Sequence, residues 1–370
     1  MAVFSLDRRI VTPNIRPWGF EMGGVSSGAS MLLTIDSTKI DASLTNFPVL
    51  VVLDSTNFDF TQARSDGFDI RFKQGATELK FERERHDAVN EKAEYWVKIP
   101  SISSSADTTF TLEYGVETVD GADSANVWDS DYVAVYHLDI NVYDSTANAH
   151  NGTVNGAMTE VDGNIGKGIS NNGTTNRYIS IPDHSDFSFT EGSGVDKPNT
   201  ISAWVKLNTG FTGAQAVVTK YERLNPFGGE YYCTINADGN MNNQNLHNST
   251  STRIGRRSTN QVVFADTWHH CVWTYSGEYA NATDVTGLVY FVDGVKITDY
   301  TTTNAQGYAG MSDRADDVNI GAGLRTSSEW GSFVNGIIDE VRISKSLRSD
   351  AWIKADYHSC ANTLITFGGA

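Results

Sequence analysis

Carboxylate pairs, histidines and cysteines are the side chains best able to do chemistry, and their spacing in this 370-residue chain restricts what that chemistry can be. Glycoside hydrolysis needs two carboxylates, about 5 Å apart for retention and farther apart for inversion. The nearest local run is Glu160-Val161-Asp162, whose two carboxylates would share one face of a strand, but Gly163 follows and breaks it. Carboxylates from distant strands can still meet in a fold, so the local pattern argues against a local pair only. His-Glu-x-x-His, Walker A and Gly-x-Ser-x-Gly are absent, and Gly166-Lys167-Gly168 lacks the P-loop spacing. His269 and His270 are adjacent in an expected strand. They should point to opposite faces, one buried and one exposed, which is a poor geometry for a shared metal. Cys233, Cys271 and Cys360 are odd in number, widely spaced and free of any Cys-x-x-Cys. Neither a zinc site of the usual spacing nor a disulfide scaffold is expected; buried free thiols suit a chain that folds in a reducing compartment.

Other side chains suit binding better than catalysis. Trp96, Trp204 and Trp273 lie inside β-rich runs and read as core. Tyr221 and Arg223, in the segment Tyr221–Phe227, and the basic stretch containing Arg253, Arg256 and Arg257 stand out in an acidic chain. They are the candidates for contact with a glycan or a neighbouring protein. Arg8, Arg9, Arg16 and Trp18 combine charge with a large apolar anchor near the N-terminus, a mix that suits docking onto a partner.

The elements that must position these residues are strands. Period-2 alternation dominates, and long period-3.6 stretches are nearly absent. Strands are expected over Met31–Ile40, Phe47–Asp54, Phe68–Phe72, Glu78–Arg83, Tyr95–Ile99 and Thr109–Tyr114, separated by turn clusters. The pattern resumes with longer loops at Tyr178–Ile181, Thr200–Leu207, Ala216–Lys220, Glu230–Ile235, Trp268–Tyr275 and Gly287–Phe291. Asp293-Gly294 between two β-rich runs predicts a tight hairpin. One helix is expected near Ser349–Tyr357, with Ser349 as N-cap and Asp350 in the first turn. Residues 1–30 lack alternation and end in a Gly/Ser-rich joint, which predicts an attachment arm. Residues 31–130 form one β-unit, residues 131–358 a second, and residues 359–370 a tail. The two units are expected to have separate cores joined near Ala125–Asp131.

Charge narrows the function. Lys and Arg number 28 against 45 Asp and Glu, a net charge of −17, which argues against nucleic-acid binding and against an anionic membrane surface. Asp7, Arg8 and Arg9 interrupt the apolar start expected of a secretory signal, and no run is long and apolar enough for a transmembrane span.

The second unit carries a specific resemblance. Tyr136-His137-Leu138-Asp139, Asp144-Ser145-Thr146-Ala147-Asn148, Thr200–Lys206, Thr267–Val272, Tyr290–Gly294 and Asn335-Gly336-Ile337-Ile338-Asp339-Glu340-Val341-Arg342-Ile343 follow in the order of a laminin-G-like jelly roll. Over about 225 residues the chain resembles this concanavalin A-like family. Phe47–Val51, Asp66–Phe72, Tyr95–Pro100 and Leu112–Gly115 resemble a small β-domain of unknown function that precedes such jelly rolls in microbial surface and viral proteins. The implied architecture is all-β: an arm, a small antiparallel β-sandwich, then a jelly roll. The resemblance implies a structural Ca²⁺, with Asp339 matching the terminal-strand aspartate and Asp139 or Asp144 contributing from the opening. The alternative is that Asp339 accepts backbone N–H bonds at a strand crossing. The Glu-x-Asp-x-x-Glu run of laminarinase-type relatives lacks its last carboxylate here, because Ile165 stands in its place.

These readings combine into a non-enzymatic virion surface protein of a phage, a head decoration or a tail or fibre component. It would display a lectin-like jelly roll for particle stabilisation or host-glycan adhesion. Its expected partners are other virion proteins through the arm, a host-surface glycan and further copies of itself. The alternative is a secreted or cell-surface microbial carbohydrate-binding module; a glycoside hydrolase ranks last.

Overall fold

The computed structural model describes residues 28–368 except 175, 192–193, 223–227, 247–251, 280, 282–283 and 327–328. The expected arm, with Arg8, Arg9, Arg16 and Trp18, lies outside the described residues, as does Arg223.

The first unit is an antiparallel β-sandwich. One sheet runs in the order Ile365–Phe367, Ala29–Ile35, Thr108–Tyr114, Arg71–Gln74, Thr77–Glu78. The other holds Leu44–Asp54, Lys92–Ile102 and Phe81–Asp87. Alternate residues such as Leu33 and Ile35 or Phe110 and Leu112 fill the space between them. The first strand stops at Ile35, short of the expected Ile40. The Asp36 side chain accepts a hydrogen bond from Thr38 N and turns Ser37–Lys39 into a short 3₁₀ helix.

The second unit is a jelly roll of two eight-stranded sheets. In the first, Asn335–Ser344 lies between Asn199–Leu207 and Lys167–Asn172 and also pairs with Tyr132–Tyr136; His269–Tyr275 and Leu288–Val292 continue it. The second runs Tyr300–Gln306, Arg253–Ser258, Met241–Leu246, Gly228–Ile235, Gln215–Glu222, Val318–Ile320, Tyr178–Ile181, Thr153–Asn155. Ile201, Ala203 and Val205 face the core between the sheets, with Cys271, Trp273 and Tyr275 beside them. At the expected hairpin Asp293 and Gly294 have φ of 51° and 75°, the positive values that a type I′ turn requires.

The helix α1 spans Asp350–Cys360, and the Ser349 side chain accepts from Trp352 N. It packs both ways. Ile353 meets Val272 and Phe291 of the jelly roll. The Trp352 ring meets Phe47 of the first unit edge-on at 4.8 Å. Ser359 Oγ accepts from Leu50 N at 2.8 Å, supplying a partner on the edge strand Leu44–Asp54.

Two expectations about the units are corrected. Residues 359–370 are not merely a tail: Ile365–Phe367 pairs antiparallel with Leu33–Ile35 and completes the first unit's sheet. Nor is the first core separate. It takes in Tyr132, Val135, Ile165 and Trp204 from the jelly roll and Ala351, Trp352, Ala355 and Cys360 from α1. The outer face of the first jelly-roll sheet is apolar enough that it must be covered, and the first unit covers it. The same cover explains why His269 and His270 are both buried rather than split between core and solvent. His270 stacks on Trp204 under α1, with ring centroids 5.3 Å apart, while His269 Nδ1 meets Asp293 Oδ2 at 2.8 Å.

The returning strand should therefore be integral to stability. Leu364→Ala removes a side chain that is only 1% exposed and is expected to cost about 2–5 kcal/mol. Truncation after Asn362 should lower the melting of the whole protein in calorimetry. A jelly-roll transition left at its original temperature would contradict the shared core.

Candidate functional site

The three aspartates considered for calcium do not converge. Asp339 is fully buried; its Oδ2 accepts from Asn164 N and Ile165 N at 2.8 and 2.9 Å, and its Oδ1 from Glu340 N. Asp144 accepts from Val135 N, Thr146 N and His150 N, all at 2.9–3.0 Å. Asp139 caps the turn at Asn141 N and Val142 N. Ca²⁺ takes six to eight oxygens, and these carboxylates are already engaged by separate backbone segments. The set does not fit a calcium shell, and Asp339 follows the alternative reading, as a strand-crossing acceptor.

The basic stretch is a strand, not a loop. Arg256 lies 3.8 Å over the Tyr300 ring and donates to Leu288 O at 2.8 Å, while Arg257 pairs with Asp238. Arg253 sits at the start of the strand, opposite Leu246 and Gln306. Tyr221 is the penultimate residue of its strand, with its ring edge-on to Tyr232 at 5.2 Å. All three cysteines are free and buried, and burial pushes their thiols up.

Two features stand out once the chain is folded. The first is a buried ionic cluster at the junction of the units. Glu82 and Glu84 come from Phe81–Asp87 of the first unit; His137, Glu340, Arg342 and Asp356 come from the second unit and α1. His137 Nδ1 is 2.5 Å from Glu340 Oε1 and 3.4 Å from Glu84 Oε2, and its Nε2 is 3.3 Å from Glu82 Oε2. Arg342 bonds Glu340 Oε2 and Asp356 Oδ1, each at 2.6 Å, and lies 4.3 Å over the Trp96 ring. Trp96 Nε1 donates to Glu84 and Trp128 Nε1 to Glu82.

Backbone irregularities aim these groups. Asn335–Ser344 carries an extra residue at Glu340–Val341 relative to its partner Asn199–Leu207, and Glu340 has φ of 49°. Phe81–Asp87 likewise carries Glu84 as an extra residue opposite Tyr95 and Glu94. A bulge breaks strict alternation, so side chains that would point into the core turn toward the junction. Burial drives the Glu84 carboxyl up to about 8. Burial alone would lower His137, but Glu340, Glu84 and Glu82 outweigh it and hold the imidazole well above its ordinary value. Burial would raise Glu340, but His137 and Arg342 hold it low.

The second feature is the outer face of the second jelly-roll sheet. Backbone register places Thr153 opposite Ser180, Ser180 opposite Asn319, Asn319 opposite Thr219 and Thr219 opposite Tyr232. Their strand neighbours Ile179, Ile181, Val318, Ile320, Val218, Tyr231 and Cys233 face the core. The row is therefore a line of hydroxyl, amide and phenol groups across five strands, exposed at Thr153, half-buried at Ser180 and Tyr232 and buried at Asn319 and Thr219, with Tyr221 beside it. Asn155 Nδ2 donates to Ser180 Oγ at 3.0 Å, and Thr219 Oγ1 donates to Ala322 O at 3.0 Å. Asn319 donates through Nδ2 to Asp317 O, while its buried Oδ1 has no hydrogen-bond partner among the described residues.

Sequence reasoning passed over both features. Glu82, Glu84, His137, Glu340 and Arg342 stood within segments read for fold alone. The available signal was Glu82-Arg83-Glu84-Arg85, a strand charged on both faces, which an ordinary half-buried strand would not carry. The polar row had no local signal, because its members come from five separate strands.

Fold and faces define a lectin-type β-sandwich seated on a second β-sandwich. Residues 172–354 match the family model of the concanavalin A-like lectin/glucanases superfamily, and residues 66–151 match a domain of unknown function, DUF2341. The chain thus carries a concanavalin A-like domain preceded by this second family's domain. The second match runs past residue 130 into Tyr132–Tyr136, which pairs within the jelly roll. No curated protein matches the chain. Among solved structures, the binding domain of Paraclostridial Mosquitocidal Protein 1 is 15% identical, with TM-score 0.46 over 62% of this chain and 52% of that one. Domain 4 of AbnA, a GH43 extracellular arabinanase from Geobacillus stearothermophilus in complex with arabinotriose, is 19% identical, with TM-score 0.43 over 61% and 98%. The binding domain of Botulinum neurotoxin DC in complex with rat synaptotagmin II is 10% identical, with TM-score 0.44 over 62% and 52%. The chain spans about half the length of the first and third of these.

Arg342 provides the test of the junction. Arg342→Met leaves Glu340 and Asp356 buried without their cation, and such a break is expected to cost about 3–5 kcal/mol. Adding Glu340→Gln and Asp356→Asn should recover part of that loss in chemical denaturation.

Proposed function

We propose that this protein is a non-enzymatic display module whose outer sheet face binds a glycan. The carrying observation is the cross-strand row Thr153, Ser180, Asn319, Thr219 and Tyr232. Sugars are met by hydroxyls and aromatic rings, and the row presents both at its accessible ends, Thr153 and Ser180 on one side and Tyr232 on the other, with Asn319 and Thr219 buried between them and no carboxylate in the row to act as acid or nucleophile. The opposite sheet is taken up by the first unit and α1, which leaves this face for a ligand. Tyr221 and Arg253 extend the row's surroundings as contact residues.

The display is assigned to a virion surface, as a head decoration or a tail or fibre component, with host glycan and neighbouring virion proteins as partners and a homo-oligomeric assembly. Three buried free thiols support folding in a reducing cytoplasm before display. Probing purified particles with antibody to this chain tests the placement; its recovery only from a bacterial surface or culture medium would favour the microbial carbohydrate-binding reading.

On a glycan array the full chain should retain at least one glycan class and release no hydrolysis product. Tyr232→Ala should weaken that retention about tenfold or more, the loss of one stacked ring with its hydroxyl, with circular dichroism unchanged. Retention unaffected by Tyr232→Ala would move the ligand off this face.

A further inference from the structure

The junction cluster has more negative charge than its own cations can balance. Glu82, Glu84, Asp339, Glu340 and Asp356 are five carboxylates, and even with His137 charged the cations set against them in the cluster are two, His137 and Arg342. Buried carboxylates are tolerated when they are paired or when they coordinate a metal.

The geometry selects three of these groups. Donor atoms of Glu84, His137 and Glu340 all lie within 4.8 Å of one another. Glu84 Oε1 is the telling atom: it is buried on a side chain only 6% exposed and has no hydrogen-bond partner among the described residues. An unsatisfied buried carboxylate oxygen is costly, so a native fold that retains one implies a missing partner. The space beside it is kept clear by Gly166, where a Cβ would lie 2.1 Å from Glu84 Oε1. A cavity of about 440 Å³, lined by Glu82, Glu84, His137, Tyr143, Glu160 and Gly166 among others, leads to the cluster.

The supporting contacts have the pattern of a metal site. Glu84 Oε2 is held by Trp96 Nε1 at 2.9 Å. Glu340 Oε2 is held by Arg342 at 2.6 Å, leaving Oε1 toward His137. Glu82 stands 3.3 Å behind His137 Nε2 and is itself fixed by Trp128 Nε1. A carboxylate near a histidine's second nitrogen favours the ring orientation that turns the first nitrogen to the ligand, and His137 Nδ1 is the nitrogen that meets Glu340 Oε1 and Glu84 Oε2. Both carboxylate ligands sit on β-bulges, the irregularity that re-aims side chains next to functional sites.

We propose that Glu84, His137 and Glu340 bind one divalent first-row transition-metal ion, with Zn²⁺ as the representative, and that the ion staples the two units together. One imidazole and two carboxylates suit such an ion better than Ca²⁺, which calls for six to eight oxygens. Glu84 belongs to the first unit and the other two to the jelly roll, so the ion spans the junction and stabilises the docked arrangement by mass action. The site is separate from the proposed glycan face and does not depend on it.

The experiment uses the full chain, stripped with chelator and dialysed against Zn²⁺ or Co²⁺. One equivalent of metal should be retained, Co²⁺ should give a visible d–d absorption, and Zn²⁺ but not Ca²⁺ should raise the melting temperature. Glu84→Gln keeps the size of the side chain and an acceptor for Trp96, and should weaken Zn²⁺ binding at least tenfold. His184→Ala serves as the control, because His150, His184 and Asp186 form the other converging group among the described residues and sit nearer the solvent. It should leave Zn²⁺ binding at the junction unchanged. A wild-type chain that retains no metal and melts alike with and without Zn²⁺ overturns the proposal whether or not Glu84→Gln folds. So does binding abolished by His184→Ala and untouched by Glu84→Gln.

Discussion

Arg342 is buried between the two units, bonded to Glu340 on its own strand and to Asp356 on α1 while lying over Trp96 of the first unit. One guanidinium therefore ties the strand Asn335–Ser344 and the helix that follows it to Trp96 on a strand of the first unit, far away in the chain. Its planar fork meets two carboxylates and an aromatic face at once, which a lysine ammonium could not do with the same geometry. The pairing is not a free gain in stability, because desolvating the charges offsets much of their attraction. Its effect is on arrangement: the apolar contacts of Trp204, Trp352 and Phe47 supply cohesion at the junction, and the charge cluster restricts the units to one docked orientation.

That arrangement governs which surfaces remain for function. A jelly roll has two outer sheet faces. Here one is buried under the first unit and α1, so its side chains are chosen for packing and charge pairing. The other carries Ser180, Asn319, Thr219 and Tyr232 in register, with Ser180 and Tyr232 half-buried and Asn319 and Thr219 buried between them, and it is the face proposed above for a glycan. On the proposed glycan-binding reading the rigid mounting would aid recognition, since polar groups held in place lose little further entropy when a ligand docks. The first unit acts as a pedestal that also borrows its edge strand, Ile365–Phe367, from the chain's far end.

The bulges at Glu84 and Glu340 show how a β-protein builds a polar cluster without breaking its cores. Strict alternation would send one of Asp339 and Glu340 into the apolar space between the sheets. One extra residue and a positive φ at Glu340 place both carboxylates outside it. A non-glycine residue held in that conformation stores local strain, and the bonds from Arg342 and His137 offset it.

Much of the architecture was legible in the residues. Period-2 alternation, the Asp293-Gly294 turn and the Ser349 cap each act over a few residues, so strands, hairpin and helix followed from local rules. The jelly-roll resemblance rested on segments such as Asn335–Ile343, whose order survives in the fold. The sites did not follow in the same way. Asp339, singled out for calcium, is engaged by the backbone of Asn164 and Ile165, a contact between residues some 170 positions apart. Glu84 meets His137 and Glu340 only because two sandwiches dock, and the polar row exists only in the register of five strands. Sequence by itself determined what each segment can form, since alternation and capping are short-range physics. The tertiary structure alone decided which charges share a buried space and which face is left open, because those depend on desolvation and packing between segments that no local pattern connects.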